Sequence, residues 1–352
     1  MEKRGRRPAV CCWLAGAAAA TGLFASATFL LKPEPGLLDH ATRLANASTW
    51  VPGFGGYYWE SDHSVLTFRP YLRGVRAVTV DVTTASETDH SALSNNIVSG
   101  GQSVVQWRLS RDGQYLLWYN NTGRRGTWNV SDLTGRLLKT WPLKNGFAAM
   151  WLADGHSWLE SHPGAFGVPF NPPAAQSACT VHSLTGADRK KIPISGPYDW
   201  PMGITLDNQV VSMQWSGTNG LSAGRIDWYT YPLTEKPAAF EHNSAPMPRS
   251  ATGLVEAELS PRGDRIACFV GYSYLSPLEE LVQRFLPGSV HPHTKVGLWV
   301  IHRDGRGMSL IGSEEGGSPF GLLWTPDGKR VSFVDHGTLY SVQVGAGGGV
   351  GP

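Results

Sequence analysis

Six times along the chain a large apolar residue stands three positions before a polar turn, and an apolar run follows. The stretches are "WESDHSVLTF" from Trp59, "LSRDGQYLLW" from Leu109, "WLADGHSWLE" from Trp151, "ITLDNQVVSM" from Ile204, "LSPRGDRIACF" from Leu259 and "WTPDGKRVSFV" from Trp324. The turn carries Asp62, Asp112, Asp154, Asp207 and Asp327. In the fifth copy Arg262 takes that place, and Gly263-Asp264 follow. Asp followed by Gly, Asn or His reverses a chain, because the Asp side chain caps its own turn and Gly accepts a positive φ. The run after each turn alternates or is apolar throughout, which predicts a strand covered on at least one face. Further strand-like stretches follow most copies, among them "GTWNVSDLTGR" (126–136), "CTVHSLTGADR" (179–189) and "GLWVIHRDGRG" (297–307). A fourth often comes next, as in "LLKTWPL" (137–143). Each unit therefore predicts a four-stranded antiparallel meander of about 40–60 residues, a length that suits propeller blades better than solenoid repeats.

Six units predict an all-β fold: a six-bladed β-propeller over residues 55–345, preceded by one N-terminal hydrophobic helix. The form of the repeat, Ser-x-Asp-Gly before an apolar strand and a later strand ending in x-Gly, resembles the TolB-like propeller family. That family includes the propellers of prolyl oligopeptidase relatives. The resemblance implies fold rather than activity, since Asp and Gly of the repeat are structural in that family, and no functional residue is carried over. TolB has an α/β domain before its propeller and the oligopeptidases attach a hydrolase domain. Here residues 32–54 read as a stalk, and "AGGGVGP" reads as a flexible tail over 346–352. The sixth copy shows only three clear strands. A stretch between Ala41 and Trp50 is expected to complete its blade, although it also fits a short juxtamembrane helix.

Composition agrees with short strands and turns: 11% aromatic residues, 14 Trp, 42 Gly and 24 Pro suit pleated surfaces and chain reversals better than helices. The N-terminus adds a location. Residues 1–8 carry Lys3, Arg4, Arg6 and Arg7, and Ala9–Leu31 contain no charge. A helix of that length spans roughly 34 Å, enough for a bilayer core. The basic flank belongs in the cytoplasm, which puts the rest of the chain outside as a periplasmic or extracellular body. Two readings of 9–31 remain open, a membrane signal-anchor and a signal peptide cleaved after Ala25-Ser26-Ala27. The anchor is preferred because Phe29, Leu30 and Leu31 continue the apolar run past that cut. Beyond residue 8 the chain has 26 basic and 27 acidic residues without a basic stripe, which removes the electrostatic footprint of nucleic-acid binding.

Candidate chemistry is sparse. "GLSAG" (220–224) matches the nucleophile pattern G-x-S-x-G, but it lies in a Gly- and Asn-rich loop between two strands, and a hairpin loop is the better reading. His291 and His293 of "HPH", with His302, lack an accompanying ligand cluster and read as polar surface loop. Inner strands offer Glu60, Glu256 and Glu258 beside Tyr57, Tyr58, Arg108 and Met202, a set too mixed for a metal cage, so no metal or cofactor is expected. Ser276, Pro277 and Glu279 open a capped helix. Its apolar face, with Leu281 and Phe285, is expected to pack on the rim or to meet a partner or bilayer. A second insertion (162–178) is Pro-rich loop. Cys179 and Cys268 read as buried free thiols, and Cys11 and Cys12 as apolar fillers of the anchor. Asn46, Asn120 and Asn129 stand in N-x-S/T sequons. The expectation is a non-catalytic module of the cell envelope that binds a protein, peptide or glycan. Tyr57, Tyr58, Arg108, Glu256 and Glu258 at the channel rim and Leu281 and Phe285 on the insertion are its candidate contacts. The alternative is a channel-mouth enzyme, a hydrolase or lyase acting on a carbohydrate or lactone.

Overall fold

In the computed structural model, the described residues are 35–345 apart from 51–55, 72–73, 99–102, 122–125, 143–147, 162–176, 187–190, 195–199, 214–224, 235–238 and 249. The segment 9–31, the loop 162–176 and the "GLSAG" stretch thus lie outside them. Among the described residues no helix is long and apolar enough to cross a membrane.

Among the described residues twenty-four strands form six antiparallel four-stranded sheets. Blade 1 is β2–β5 (Tyr57–Ser61, Ser64–Tyr71, Gly74–Asp81, Glu87–Asp89) and blade 2 is β6–β9 (Ser103–Leu109, Tyr115–Asn121, Gly126–Asp132, Leu137–Pro142). Blade 3 is β10–β13 (Ala148–Trp151, Ser157–Ser161, Ser177–Ser183, Lys191–Ile194), and blade 4 is β14–β17 (Trp200–Ile204, Gln209–Met213, Arg225–Pro232, Glu241–Pro246). Blade 5 is β18–β21 (Ala251–Leu259, Arg265–Tyr274, His293–His302, Ser309–Glu315). Blade 6 combines β22–β24 (Phe320–Trp324, Arg330–Asp335, Thr338–Gln343) with β1 (Ala41–Asn46), which pairs antiparallel with β24 as the outer strand. The stretch at Ala41 therefore closes the ring as a strand, not as a helix. A helix α1 (Ser91–Val98), which the hydrophobic pattern did not announce, joins blades 1 and 2 and buries Leu93 between them.

The core is six cores. Each buried cluster joins two neighbouring blades: Leu66, Phe68 and Trp107 between blades 1 and 2, for example, and Met213, Trp228, Ile266 and Cys268 between blades 4 and 5. A strand buried on both faces needs apolar residues in succession, which explains the runs "YLLW" and "RIACFV". Trp107, Trp128, Trp158 and Trp228 are almost fully buried, and truncating one to Ala costs about 3–5 kcal/mol. The three lead Trp residues also staple blades 3, 6 and 1 to the blades before them. Trp151 Nε1 donates to Arg108 O, Trp324 Nε1 to Glu258 O, and Trp59 Nε1 to Ser332 Oγ.

The repeat turns form a second ring. Ser110, Thr205 and Thr325 donate their hydroxyls to Asp112, Asp207 and Asp327 at 2.6, 2.5 and 2.6 Å. In blade 5 Ser260 finds Asp264 at 2.7 Å instead, so the aspartate two places later substitutes for the one that Arg262 displaced. The left-handed position of the turn is Gly113, Gly155, Gly263 or Gly328, and Asn208 in blade 4. Turn sits on turn around the ring: Gly155 approaches Asp112, Gly263 approaches Thr205, and Asn208 Oδ1 accepts the Ala153 amide. Asp62 Oδ1 accepts the Asp327 amide and carries the ring from blade 6 to blade 1.

Cys179 and Cys268 are both fully buried, and burial pushes the Cys268 pKa up to about 12. Asn129 is buried and accepts from Thr140, so it cannot carry a glycan as the structure stands.

Candidate functional site at the channel mouth

The six inner strands run side by side around a central channel. At the end encircled by the repeat turns they enclose a cavity of about 270 Å³. One register position supplies much of its wall: the residue just before each lead apolar residue. In ring order these are Tyr58, Arg108, Met150, Gly203, Glu258 and Leu323. A strand turns successive side chains to opposite faces. When Trp59, Leu109 and Leu259 enter the inter-blade cores, Tyr58, Arg108 and Glu258 are left for the channel. Trp59, Trp151 and Trp324 fill in the wall between these positions.

Arg108 belongs to blade 2 and Glu258 to blade 5, opposite members of a six-blade ring. Each is half-buried, partly open to the channel yet surrounded by protein. Among the described residues no ion pair within 4.0 Å joins them. Their charges still interact across the channel. Burial pushes the Glu258 carboxyl up to about 8, Arg108 opposes that rise, and Glu256 adds to it. Burial works against the charge on Arg108, but Tyr58 and Glu258 outweigh it and hold its pKa above the ordinary guanidinium value. Burial likewise raises the Tyr58 phenol, against the pull of Arg108. At neutral pH the guanidinium of Arg108 therefore faces a mostly protonated Glu258 and a neutral phenol, and Arg111 adds a second guanidinium to the cavity wall. Above the cavity Arg111 of blade 2 donates to the Pro261 carbonyl of blade 5, spanning the entrance.

The other expected contacts divide. Glu256 accepts the backbone amides of Leu322 and Gly321, which tie its carboxylate to blade 6. Burial still leaves its pKa raised. Tyr57 is not a rim residue: it is buried between blades 6 and 1, where its hydroxyl donates to Ser332 Oγ at 2.6 Å. Met202 is likewise buried between blades 4 and 5, and its neighbour Gly203 holds the channel position of blade 4. Leu281 and Phe285 lie on α2 (Pro277–Phe285), where they are 50% and 77% exposed, so the apolar face does not pack on the rim. His293 bonds Glu279 of that helix at 2.8 Å, and bonds from Ser276 and His293 hold the Glu279 carboxyl down to about 2.

No family model and no curated protein matches the chain. Solved structures similar to it include hydrazine synthase from Kuenenia stuttgartiensis, at 14% identity and a TM-score of 0.47, covering 80% of this chain and 74% of that one. A TolB-type protein from Agrobacterium tumefaciens is 14% identical, with a TM-score of 0.46 and coverage of 82% and 90%. TolB from Acinetobacter baumannii is 12% identical, with a TM-score of 0.44 and coverage of 91% and 67%. The fold itself is set by the sheet topology above: a six-bladed propeller closed by its N-terminal strand.

Proposed function

We propose that this protein is a binding module whose channel mouth takes an acidic group presented by a protein or peptide partner. The observation that carries the reading is Arg108: a guanidinium enclosed by the ring, facing the cavity, with no carboxylate in ion-pair contact among the described residues. Such a group is most stable with a carboxylate against it, since charge-assisted bonds to guanidinium are strong where water is scarce. Protonated Glu258 donates a hydrogen bond to the same ligand, and Trp59, Trp151, Trp324 and Leu323 cover its apolar part. A cavity of about 270 Å³ holds one side chain or a chain end rather than a large cofactor. The charge asymmetry of residues 1–31 supports a ring exported from the cytoplasm and tethered at a membrane through 9–31, or secreted once that segment is cleaved.

One specific observation favours a second reading. A carboxyl with its pKa near 8 is a proton donor suited to general-acid work on a carbohydrate or lactone. Glu256, tied to two amides, is a poor base partner for it. The two readings separate by incubating the full chain with peptides ending in a free carboxylate, with their amidated twins, and with neutral and acidic glycans. Retention of the carboxylate peptides without turnover supports the binding module. Turnover of a glycan or lactone, lost in Glu258→Gln, would replace it.

A further inference from the structure

A second polar cluster sits away from the channel, at the seam where the ring closes. Glu314 lies in β21, the outer strand of blade 5. Asp335 ends β23 of blade 6, and His336 begins the two-residue turn to β24. Each offers a ligand atom within 4.8 Å of the others. His336 Nδ1 is 2.7 Å from Asp335 Oδ2 and 3.9 Å from Glu314 Oε1. The decisive feature is what the carboxylates lack. Asp335 is 1% exposed, and its Oδ1 is shut off from water without a hydrogen-bond partner among the described residues. Glu314 Oε2 is in the same condition. A buried carboxylate oxygen facing a second carboxylate is costly unless a proton or a cation lies between them.

We infer that Glu314, Asp335 and His336 form a divalent-metal site, suited to Zn²⁺, that clamps blade 5 to the closing hairpin of blade 6. An imidazole nitrogen beside two hard carboxylates fits Zn²⁺ better than Ca²⁺, since Ca²⁺ takes oxygen ligands alone. Bonds of about 2.0–2.2 Å place ligand atoms roughly 3–3.5 Å apart in a tetrahedral site, a small adjustment from the distances here. His336 is exposed, which leaves room for a water as a further ligand.

The position gives the ion a structural task. The N-terminal segment passes both sides of the cluster: Leu37 donates its amide to Ser313 O, and Ala47 donates to Gly337 O. Gly312 has no room for a Cβ, because Leu37 and Gly36 lie under 3.0 Å from where it would sit. An ion held by Glu314 and His336 fixes the neighbours of both docking points, and with them the bed on which β1 is laid.

The test uses the full untagged chain, stripped with a chelator and titrated with Zn²⁺ or Ca²⁺ by calorimetry and thermal unfolding. Saturable one-to-one Zn²⁺ binding with a rise in the unfolding midpoint is expected, with a far smaller response to Ca²⁺. His336→Gly removes a ligand yet suits the left-handed backbone there (φ 45°). It is expected to fold and to lose at least tenfold in Zn²⁺ affinity. Asp335→Asn tests the buried ligand and is expected to abolish binding. Zn²⁺ binding of equal strength in His336→Gly, or no saturable binding in the parent chain, would overturn the site. So would a chain whose stability responds to pH but not to Zn²⁺, since a shared proton would then fill the gap.

Discussion

Two glutamates in the ring stand in opposite relations to their surroundings. Glu160, in β11 of blade 3, is 4% exposed and bonds His182 Nε2 at 2.8 Å, while Trp141 Nε1 donates to the same oxygen. The His182 ring lies stacked on Trp158 and Trp141. Glu258, in β18 of blade 5, faces the channel opposite a guanidinium that it does not touch. The first carboxylate is matched within the protein and holds a blade interface together. The second is left unmatched, and its raised pKa records the cost. Glu160 finds its partners inside the fold, whereas under the proposed function Glu258 and Arg108 are left for a ligand.

The contrast can be broken at several points. His182→Ala leaves Glu160 buried with a single indole donor and is expected to cost about 3–5 kcal/mol in denaturant unfolding. A loss under about 1 kcal/mol would mean that the pair is not structural. Glu258→Gln is expected to do the reverse at high pH. A carboxyl whose pKa is raised from 4.5 to about 8 on folding binds its proton more tightly in the native state. Its stabilising contribution is whole below pH 4.5 and is lost as pH rises through 8. The parent chain should therefore lose about 2 kcal/mol across that window, discounted for water in the channel, and Glu258→Gln should flatten the decline. An unchanged slope would place the titration elsewhere. The smallest effect is expected from Leu281→Ser with Phe285→Ser on the exposed face of α2, within about 0.5 kcal/mol and with ligand binding intact.

The architecture was readable because its signal is local and repeated. Asp-Gly turns and the apolar runs beside them are dictated within ten residues, so six copies announce six blades even where Asp264 must stand in for Arg262. The mouth was readable by register once the lead apolar residues were fixed. Tyr58, Arg108 and Glu258 precede residues that enter the cores, and Met150 and Leu323 hold the same position but were passed over for want of a polar group. The same alternation accounts for Tyr57, which shares a face with Trp59 and so goes into the core. Glu256 looked like the twin of Glu258, and only the approach of the blade 6 backbone, remote in sequence, distinguishes them. The cluster of Glu314, Asp335 and His336 had no signature at all, since two blades contribute to it and spacing along the chain says nothing of their meeting. Arg111 escaped for a related reason: its partner carbonyl is on the opposite side of the ring.

Under the proposed function, the enclosed guanidinium of Arg108 recognises a carboxylate. This recognition is tested most directly by titrating a peptide that ends in a free carboxylate, and its amidated twin, into the full chain and into Arg108→Gln. The parent chain is expected to bind the carboxylate form at least tenfold more tightly. Arg108→Gln should lose that preference while its unfolding midpoint stays close to the parent's. Equal affinity for both peptides, or a preference that survives Arg108→Gln, would contradict it.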